Sequence, residues 1–503
     1  MNVELQASYD EFPYLSLAFP QSHPDRLATI ARLHRLVPAP VGECRVLEIG
    51  CAAGGNLIPM AAALPRSRFL GIDFSAVQVR EGLADVAALG LANIELKQVD
   101  LRDFGEESGV FDYIIAHGVY SWVPPAVQEK LLDVCARQLA AGGIAYISYN
   151  TLPGWNMRGI VRDAMRYHTR QFPDARSRVQ QARATLDFLA QATEGARSPY
   201  ALMLRSEAEQ LRRKQDYYVL HDHLEEFNEA LFFHQFAARA ARHGLAFLAE
   251  AEFRMMQIDG LPAPVAHTLN QMAPGILQRE QLTDFLRNRN FRQTLLVHED
   301  APVDRVLTPG RVNSLWVASA ARVAGDGNDP SSPAPGEFRM PDGSGLRTPH
   351  PISKAAMAVL AKHWPAPIPF SDLAAMAAAR IGLAGDVDDV QTATLASDLL
   401  KSFCAGAAEL HALGPAFVIE PGARPQASPV ARLQVTRGPY VTNMRHEMVG
   451  LDDADRRLLS LLDGSVERTA IASQAFPGQP PKSASTALDE AMARLARQAL
   501  LVQ

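Results

Sequence analysis

The sequence predicts an α/β protein: a doubly wound, mostly parallel sheet with helical insertions, followed by a winged-helix-like α+β module. Three observations predict it. A buried strand, Val46-Leu-Glu-Ile49, runs into the small-residue turn Gly50-Cys-Ala-Ala-Gly-Gly55 and then into a helix. A second buried strand, Phe69-Leu-Gly-Ile-Asp73, ends in an acid roughly 20 residues after the first glycine, the arrangement of a nucleotide-binding half-sheet. Strand–helix alternation then runs to about residue 150, whereas the last third reads as short helices between short strands.

The elements follow in order. Asn56 is placed to cap a helix through Leu57, Met60 and Leu64, with Pro59 in its first turn, where a missing N–H costs nothing. Ile94 to Asp100 alternates as a third strand, and Phe111 to Ala116 reads as a fourth, followed by His117-Gly-Val-Tyr-Ser-Trp122. A helix over Leu131–Leu139, a break at Gly142-Gly143 and a strand over Ile144–Ser148 complete five β/α repeats. Beyond them, Arg/Gln/Ala-rich helices run from about Trp155 to Asn228, broken at Ser198-Pro199. Leu224, Phe227, Leu231 and Ala238 recur at helical spacing before the stop at His243-Gly244. Leu245–Phe253 and Phe291–Val297 read as two closing strands.

In such sheets ligands lie beyond the carboxyl ends of the strands. That edge carries Glu48, Asp73, Asp100, His117 and Asn150, one polar group per strand. A dinucleotide site wants a glycine where this turn has Ala52, whose methyl group intrudes on the phosphates, and no P-loop lysine follows. Glu48 would repel a pyrophosphate but suits a ligand with a cationic amino-acid end. These residues favour S-adenosylmethionine. The expected cofactor set is Glu48, Gly50, Cys51, Ala52, Gly54, Asn56, Asp73, Phe74, Asp100, Leu101 and His117. In it, Asp73 accepts the ribose hydroxyls, Asp100 accepts from the adenine amino group and Leu101 covers the ring.

At these blocks the chain resembles class I S-adenosylmethionine-dependent methyltransferases. More narrowly, it resembles bacterial enzymes with a methyltransferase regulatory domain, which include the rickettsial protein-lysine methyltransferases. The residues that carry the narrower likeness are Tyr9-Asp10 with Pro13-Tyr14, Leu47 to Asn56, His117 to Trp122, Ser148 to Trp155, His221 to Asn228 and Phe233 to Phe236. The resemblance implies a seven-stranded Rossmann-like methyltransferase sheet. It places a core over 1–300, a helical insertion near 156–225, and a regulatory-domain likeness over about 212–298. The breaker-rich stretch ending at Gly336 reads as a flexible linker over 323–336, leaving 337–503 as the C-terminal module, so the core is expected to fold by itself. In that module helices are expected over Pro349–Ala361, Phe370–Ile381, Leu395–Ala407, Asp453–Leu462 and Leu488–Ala499. Short strands are expected around Phe338, Phe417 and Leu500.

Composition bounds the function. A chain of 503 residues with 48% apolar content supports two or three domains with real cores. A net charge of −6 and a pI near 6.2 give no electrostatic footprint for nucleic acid, so none is expected as a partner. Cys44, Cys51, Cys135 and Cys404 lack metal-site spacing and read as buried thiols of a reducing compartment. With no signal-like start and no membrane-length apolar run, a cytoplasmic location is expected and no membrane insertion.

Methyl transfer from a sulfonium needs in-line alignment more than covalent help. The candidate walls of an acceptor mouth are Tyr9, Tyr14, Tyr120, Trp122, Tyr149 and Trp155, with Asn150 beside them and His117 able to orient or deprotonate the acceptor. Three function classes stay open: a protein methyltransferase, favoured by the accessory mass, for which the resemblance and the aromatic density after the fourth and fifth strands imply a lysine acceptor; a metabolite methyltransferase; and a non-catalytic regulator retaining the fold, against which the intact Glu48, Asp73 and Asp100 argue.

Overall fold

The computed structural model describes residues 16–258, 260–324, 329, 332, 334–383 and 388–502. Seven strands form one sheet: β1 (Arg45–Ile49), β2 (Arg68–Asp73), β3 (Ile94–Gln98), β4 (Phe111–Ala116), β5 (Leu139–Asn150), β6 (Leu245–Glu250) and β7 (Phe291–His298). Their spatial order is β3-β2-β1-β4-β5-β7-β6. The first five are parallel, and β7 runs antiparallel between β5 and β6. β1 and β4 are buried almost throughout because helices cover both faces of the parallel part. The order reverses between β1 and β4, which opens a crevice above their carboxyl ends.

Three local expectations need correction. Gly142-Gly143 does not break β5; the strand begins at Leu139, and the irregularity is absorbed in register, with Phe111 opposite Leu139 but Tyr113 opposite Ile144. The helical spacing of Leu224, Phe227 and Leu231 is fortuitous. Leu224 ends a π-helical turn, Leu231 bridges to Thr151 at the end of β5, and the amphipathic helix starts only at Phe233. Phe417 lies in no strand, and the end of the chain makes a single bridge, Ala427 to Leu501.

A buried ionic cluster locks the antiparallel edge. Arg292 of β7 meets Glu250 of β6 at 2.7 Å, and on the helix Ile276–Arg287 it meets Asp284 at 2.8 Å and Glu280 at 3.1 Å. Arg289 adds a second contact to Glu250 at 2.9 Å.

After β7, the chain builds β8 (Trp316–Ala318), β9 (Arg322–Val323), β10 (Gly336–Arg339), β11 (Gly345–Thr348), β12 (Ile368–Pro369) and β13 (Glu409–His411). Most of the expected linker lies outside the described residues, but its two ends are structured: β9 pairs with β10 across it. β8, which precedes it, pairs with β12 and β13, which follow it. One apolar cluster runs from Leu27 and Leu248 through Val317 to Phe338, Ile352, Leu373 and Leu410. Asp25 of the first described α-helix, Pro24–Leu33, also binds His411 at 2.8 Å and accepts from the Ala412 and Leu413 N–H groups.

Of the described residues after β7, the last segment has a core of its own, from Ala427 through Leu459 and Leu488 to Leu501. It contains the hairpin β14 (Tyr440–Thr442) and β15 (Met448–Gly450), with the helices Asp453–Leu461, Arg468–Ala475 and Pro481–Arg497. The segment 337–503 is therefore not one module, since its first half shares the core of the sheet domain. We propose a boundary near residue 417 in place of 323–336. A fragment ending at Ala324 should be insoluble or lack a cooperative unfolding transition, because β8 loses both partners and the shared cluster is cut. A fragment ending near residue 416 should stay soluble, as size-exclusion chromatography and circular dichroism would show. Among the described residues no helix is long and apolar enough to cross a membrane.

Candidate active site

The turn after β1 is tied to β2 by its backbone. The Gly50 and Cys51 N–H groups both donate to the Ile72 carbonyl, at 2.8 and 3.1 Å. The Ala52 N–H donates to Asp73 Oδ2 at 2.8 Å, and Asp73 Oδ1 accepts from the Ser75 N–H at 2.8 Å. Gly50 has φ +74°, and a Cβ there would come within 2.5 Å of Val119. A Cβ on Gly55 would lie 2.1 Å from the Ser16 carbonyl oxygen, so only glycine lets the N-terminal segment cross the turn. Ala52 itself is left-handed, at φ +49°. That conformation costs a residue with a Cβ about 1–2 kcal/mol, here held in place by the Asp73 contact.

Glu48, at the end of β1, is 3% exposed. Its Oε1 accepts from Asn56 Nδ2 at 2.7 Å, while Oε2 is buried with no partner. Burial pushes this carboxyl up to about 8, against the Asn56 hydrogen bond and helped by the nearby Asp73 charge. A cationic group seated against Oε2 would restore the carboxylate, so an orphaned acceptor beside a glycine turn fits the amino-acid end of S-adenosylmethionine. Asn56 does not cap the following helix, Leu57–Ala63; its backbone is already helical, and its amide is engaged elsewhere. Besides Glu48 it binds Ser22 Oγ, the Phe19 N–H and His446 Nε2.

The remaining predicted residues fall around the same edge. Cys51 is buried and its thiol is pushed well above 9 by burial, next to the Asp73 and Glu48 charges, so it is a packing residue and not a nucleophile. Gly54 is left-handed at φ +76°, and Phe74 is half-buried beside Asp73. Asp100 heads the short turn Leu101–Asp103 and pairs with Arg102 at 2.6 Å, which holds its carboxyl below the usual range; Leu101 is buried. His117 Nδ1 is hydrogen-bonded to the Tyr146 hydroxyl at 2.8 Å, and its ring stacks on Phe19 with centroids 3.7 Å apart. Burial pushes the imidazole down to about 4, so it is neutral at pH 7. Asn150 is buried, with Nδ2 unpartnered.

The aromatic residues divide into two groups. Trp122 and Trp155 meet edge to face with centroids 6.2 Å apart, and the Arg158 guanidinium lies over Trp155. Tyr120 is fully buried against Phe236 and Tyr149, and Tyr149 is stacked on Phe236 at 4.0 Å. Tyr120 and Tyr149 are therefore core residues, a correction to their reading as mouth walls: the helix that starts at Phe233 closes over them. Tyr9 and Tyr14 lie outside the described residues. Ser16, Phe19, Ser22 and His446 touch the turn or its partners without having been singled out, because their partners lie far off in sequence and no local pattern marks them.

Comparison with known proteins agrees with this architecture. Family models match a methyltransferase domain over residues 46–143, a methyltransferase regulatory domain over 215–298 and the PKMT C-terminal winged helix domain over 423–476. The uncharacterized protein RP789 of Rickettsia prowazekii is 34% identical over 473 residues, covering 92% of this chain and 84% of that protein. A second protein of that organism, RP028, is 41% identical over 235 residues, covering 47% of this chain and 94% of its own length. The solved structure of PKMT2 from Rickettsia typhi in complex with AdoHcy superimposes with a TM-score of 0.86 at 30% identity, covering 98% of this chain and 100% of that one. The chain thus belongs to the family of S-adenosylmethionine-dependent methyltransferases that carry the methyltransferase regulatory domain and the PKMT C-terminal winged helix domain.

Proposed function

We propose that this methyltransferase modifies lysine side chains of another protein, in the cytoplasm, where its four free cysteines stay reduced. The observation that carries the reading is the whole-chain likeness to PKMT2 of Rickettsia typhi, which extends through the accessory domains and not the sheet alone. S-adenosylmethionine, when bound, supplies a methyl group already activated on a sulfonium. In this reading the Gly50–Gly55 turn, Asp73 and Glu48 hold it, and the chain aligns the acceptor amine with the methyl carbon at about 3–3.5 Å.

A lysine ammonium must first lose its proton, which costs roughly 4–5 kcal/mol at neutral pH from a pKa near 10.4. His117, pushed down to about 4 by burial, is a weak base and its Nδ1 is engaged by the Tyr146 hydroxyl, so in this reading its part is to orient the acceptor through Nε2. Desolvation in an aromatic surround lowers the amine pKa instead, and Trp122, the half-buried member of the Trp122–Trp155 pair, offers a face that accommodates a methylated ammonium, while Trp155 is buried behind it beneath Arg158.

Two measurements test this. Proteins incubated with enzyme and donor should gain methyl mass on lysine by mass spectrometry; methylation confined to metabolites, or to carboxylates or cysteines, would refute the acceptor class. Trp122→Ala should lower kcat/KM for the protein acceptor by about 10–100-fold, with donor affinity near that of the parent, because it disturbs acceptor alignment and not the cofactor turn.

A further inference from the structure

The side chain of Asn56 joins three parts of the chain. Its Oδ1 accepts from the Phe19 N–H at 2.9 Å, which fixes the orientation of the amide. Nδ2 then donates to Glu48 Oε1 at 2.7 Å and to Ser22 Oγ at 3.0 Å. The fourth contact, His446 Nε2 to Oδ1 at 2.7 Å, must be an N–H donor, because Oδ1 has no proton to give. His446 comes from the tip of the β14–β15 hairpin, in the segment with its own core, 390 residues away in sequence. Asn56, at 3% exposed, is buried together with Glu48, Ser22 and His446, while Phe19 is half-buried.

The tip is held rigidly from behind. Arg445 binds Glu409 of β13 at 2.8 Å and Glu447 at 3.1 Å, and lies over the Trp364 ring at 4.4 Å. The same segment packs its helix Pro429–Gln434 on Leu57–Ala63, the helix that leaves the glycine turn, and pairs Arg437 with Asp85. Phe19, fixed by Asn56, is in turn the residue stacked on His117.

We infer that His446 is a positioning residue of the methyl-donor pocket: by donating to Asn56 it holds the amide against Glu48 and the Phe19–Ser22 segment, so that the pocket is complete only when the C-terminal winged-helix segment is seated. Without that donor, Asn56 keeps its Phe19, Glu48 and Ser22 contacts but loses the one that ties it to the C-terminal segment, so the amide, and with it Glu48 and the segment carrying Phe19, is held less firmly over the turn. The inference rests on the reading of the Gly50–Asp73 edge as the donor pocket.

The test is calorimetric titration of the full chain with S-adenosylmethionine, beside thermal unfolding of each variant. His446→Phe keeps a ring but removes the N–H, and should weaken binding on the order of 10-fold, as for one lost buried hydrogen bond. His446→Asn is a second variant suited to the left-handed backbone there, φ +62°, with an amide too short to reach Asn56; it should weaken binding similarly. His446→Gln, whose terminal amide can donate from nearly the same place, should recover most of the affinity. A merely structural role would lower the unfolding temperature of all three and leave the dissociation constant of the folded protein unmoved. Unchanged affinity in His446→Asn, while Asp73→Ala weakens binding, would overturn the inference and leave the pocket standing. Unchanged affinity in Asp73→Ala as well would remove the pocket reading and the inference with it.

Discussion

Arg292→Met is expected to destabilise the protein by about 3–5 kcal/mol, the usual cost of removing one partner from a buried ion cluster. Arg292, Glu250 and Asp284 have no exposed side-chain surface and Glu280 has 1%. Removing the guanidinium leaves Glu250 and Asp284 with Arg289 and Glu280 with no ion-pair partner among the described residues, and takes away a cation lying 4.0 Å from the Phe233 ring centroid. The cluster joins β6, β7 and the helix Ile276–Arg287, so the antiparallel edge of the sheet depends on it. Urea unfolding read by tryptophan fluorescence or circular dichroism would measure the loss, and a change below about 1 kcal/mol would show that water or rearrangement compensates.

The pH dependence of that loss follows from the same cluster. Burial alone would raise the Glu250 carboxyl, but Arg292 and Arg289 overcome it and hold it below the usual range. Burial keeps Glu280 and Asp284 above the usual range despite Arg292. In the parent the Glu250 contribution is present above the unfolded pKa and lost as pH falls through the lower folded value. The raised pair works the other way, and its contribution is lost as pH rises through the folded values. Without Arg292 all three folded pKa values rise, so the variant binds more protons when folded than the parent does. The stability gap should therefore be widest near neutral pH and shrink towards about pH 5. A gap that widened on acidification would contradict this assignment of charges.

Legibility in the sequence tracked the range of the interaction. The run Val46 to Gly55 and the acid at Asp73 were readable because a buried strand, a small-residue turn and a strand-end acid are all local patterns. The strand order, with β7 antiparallel between β5 and β6, is not written in that alternation, because pairing is set by contacts between segments far apart in sequence. What escaped depends on partners far off in sequence. Asn56 reads as a cap from its neighbours, yet its amide serves Phe19, Glu48 and His446. Tyr120 and Trp122 are two residues apart and look alike as wall residues; the helix from Phe233 buries the first and leaves the second half-exposed. Glu280 and Asp284 stand four apart on one helix face, a signal that was present, but nothing local says the face turns inward onto Arg292. The breaker-rich stretch before Gly336 reads as a domain boundary because composition marks a loop, whereas a boundary is set by which strands pair across it.

Asp73→Ala should have the largest effect on donor binding, on the order of 100-fold. The carboxylate accepts from the Ala52 and Ser75 N–H groups, which fixes the left-handed Ala52 and the start of the helix that follows β2. Charge-assisted hydrogen bonds of this kind contribute about 1.5–3 kcal/mol each, and part of that is recovered by water in the variant. A net loss of about 3 kcal/mol corresponds to roughly two decades in the dissociation constant. Asp73→Asn keeps one oxygen for Ala52 and loses the charge, so it should fall between the parent and the alanine variant. Because the contact serves donor binding and not the acceptor, the donor KM should rise in both while kcat at saturating donor falls much less. A drop in kcat with unchanged donor affinity would move Asp73 from the cofactor edge to the reacting centre and reverse the roles assigned to it and to Trp122.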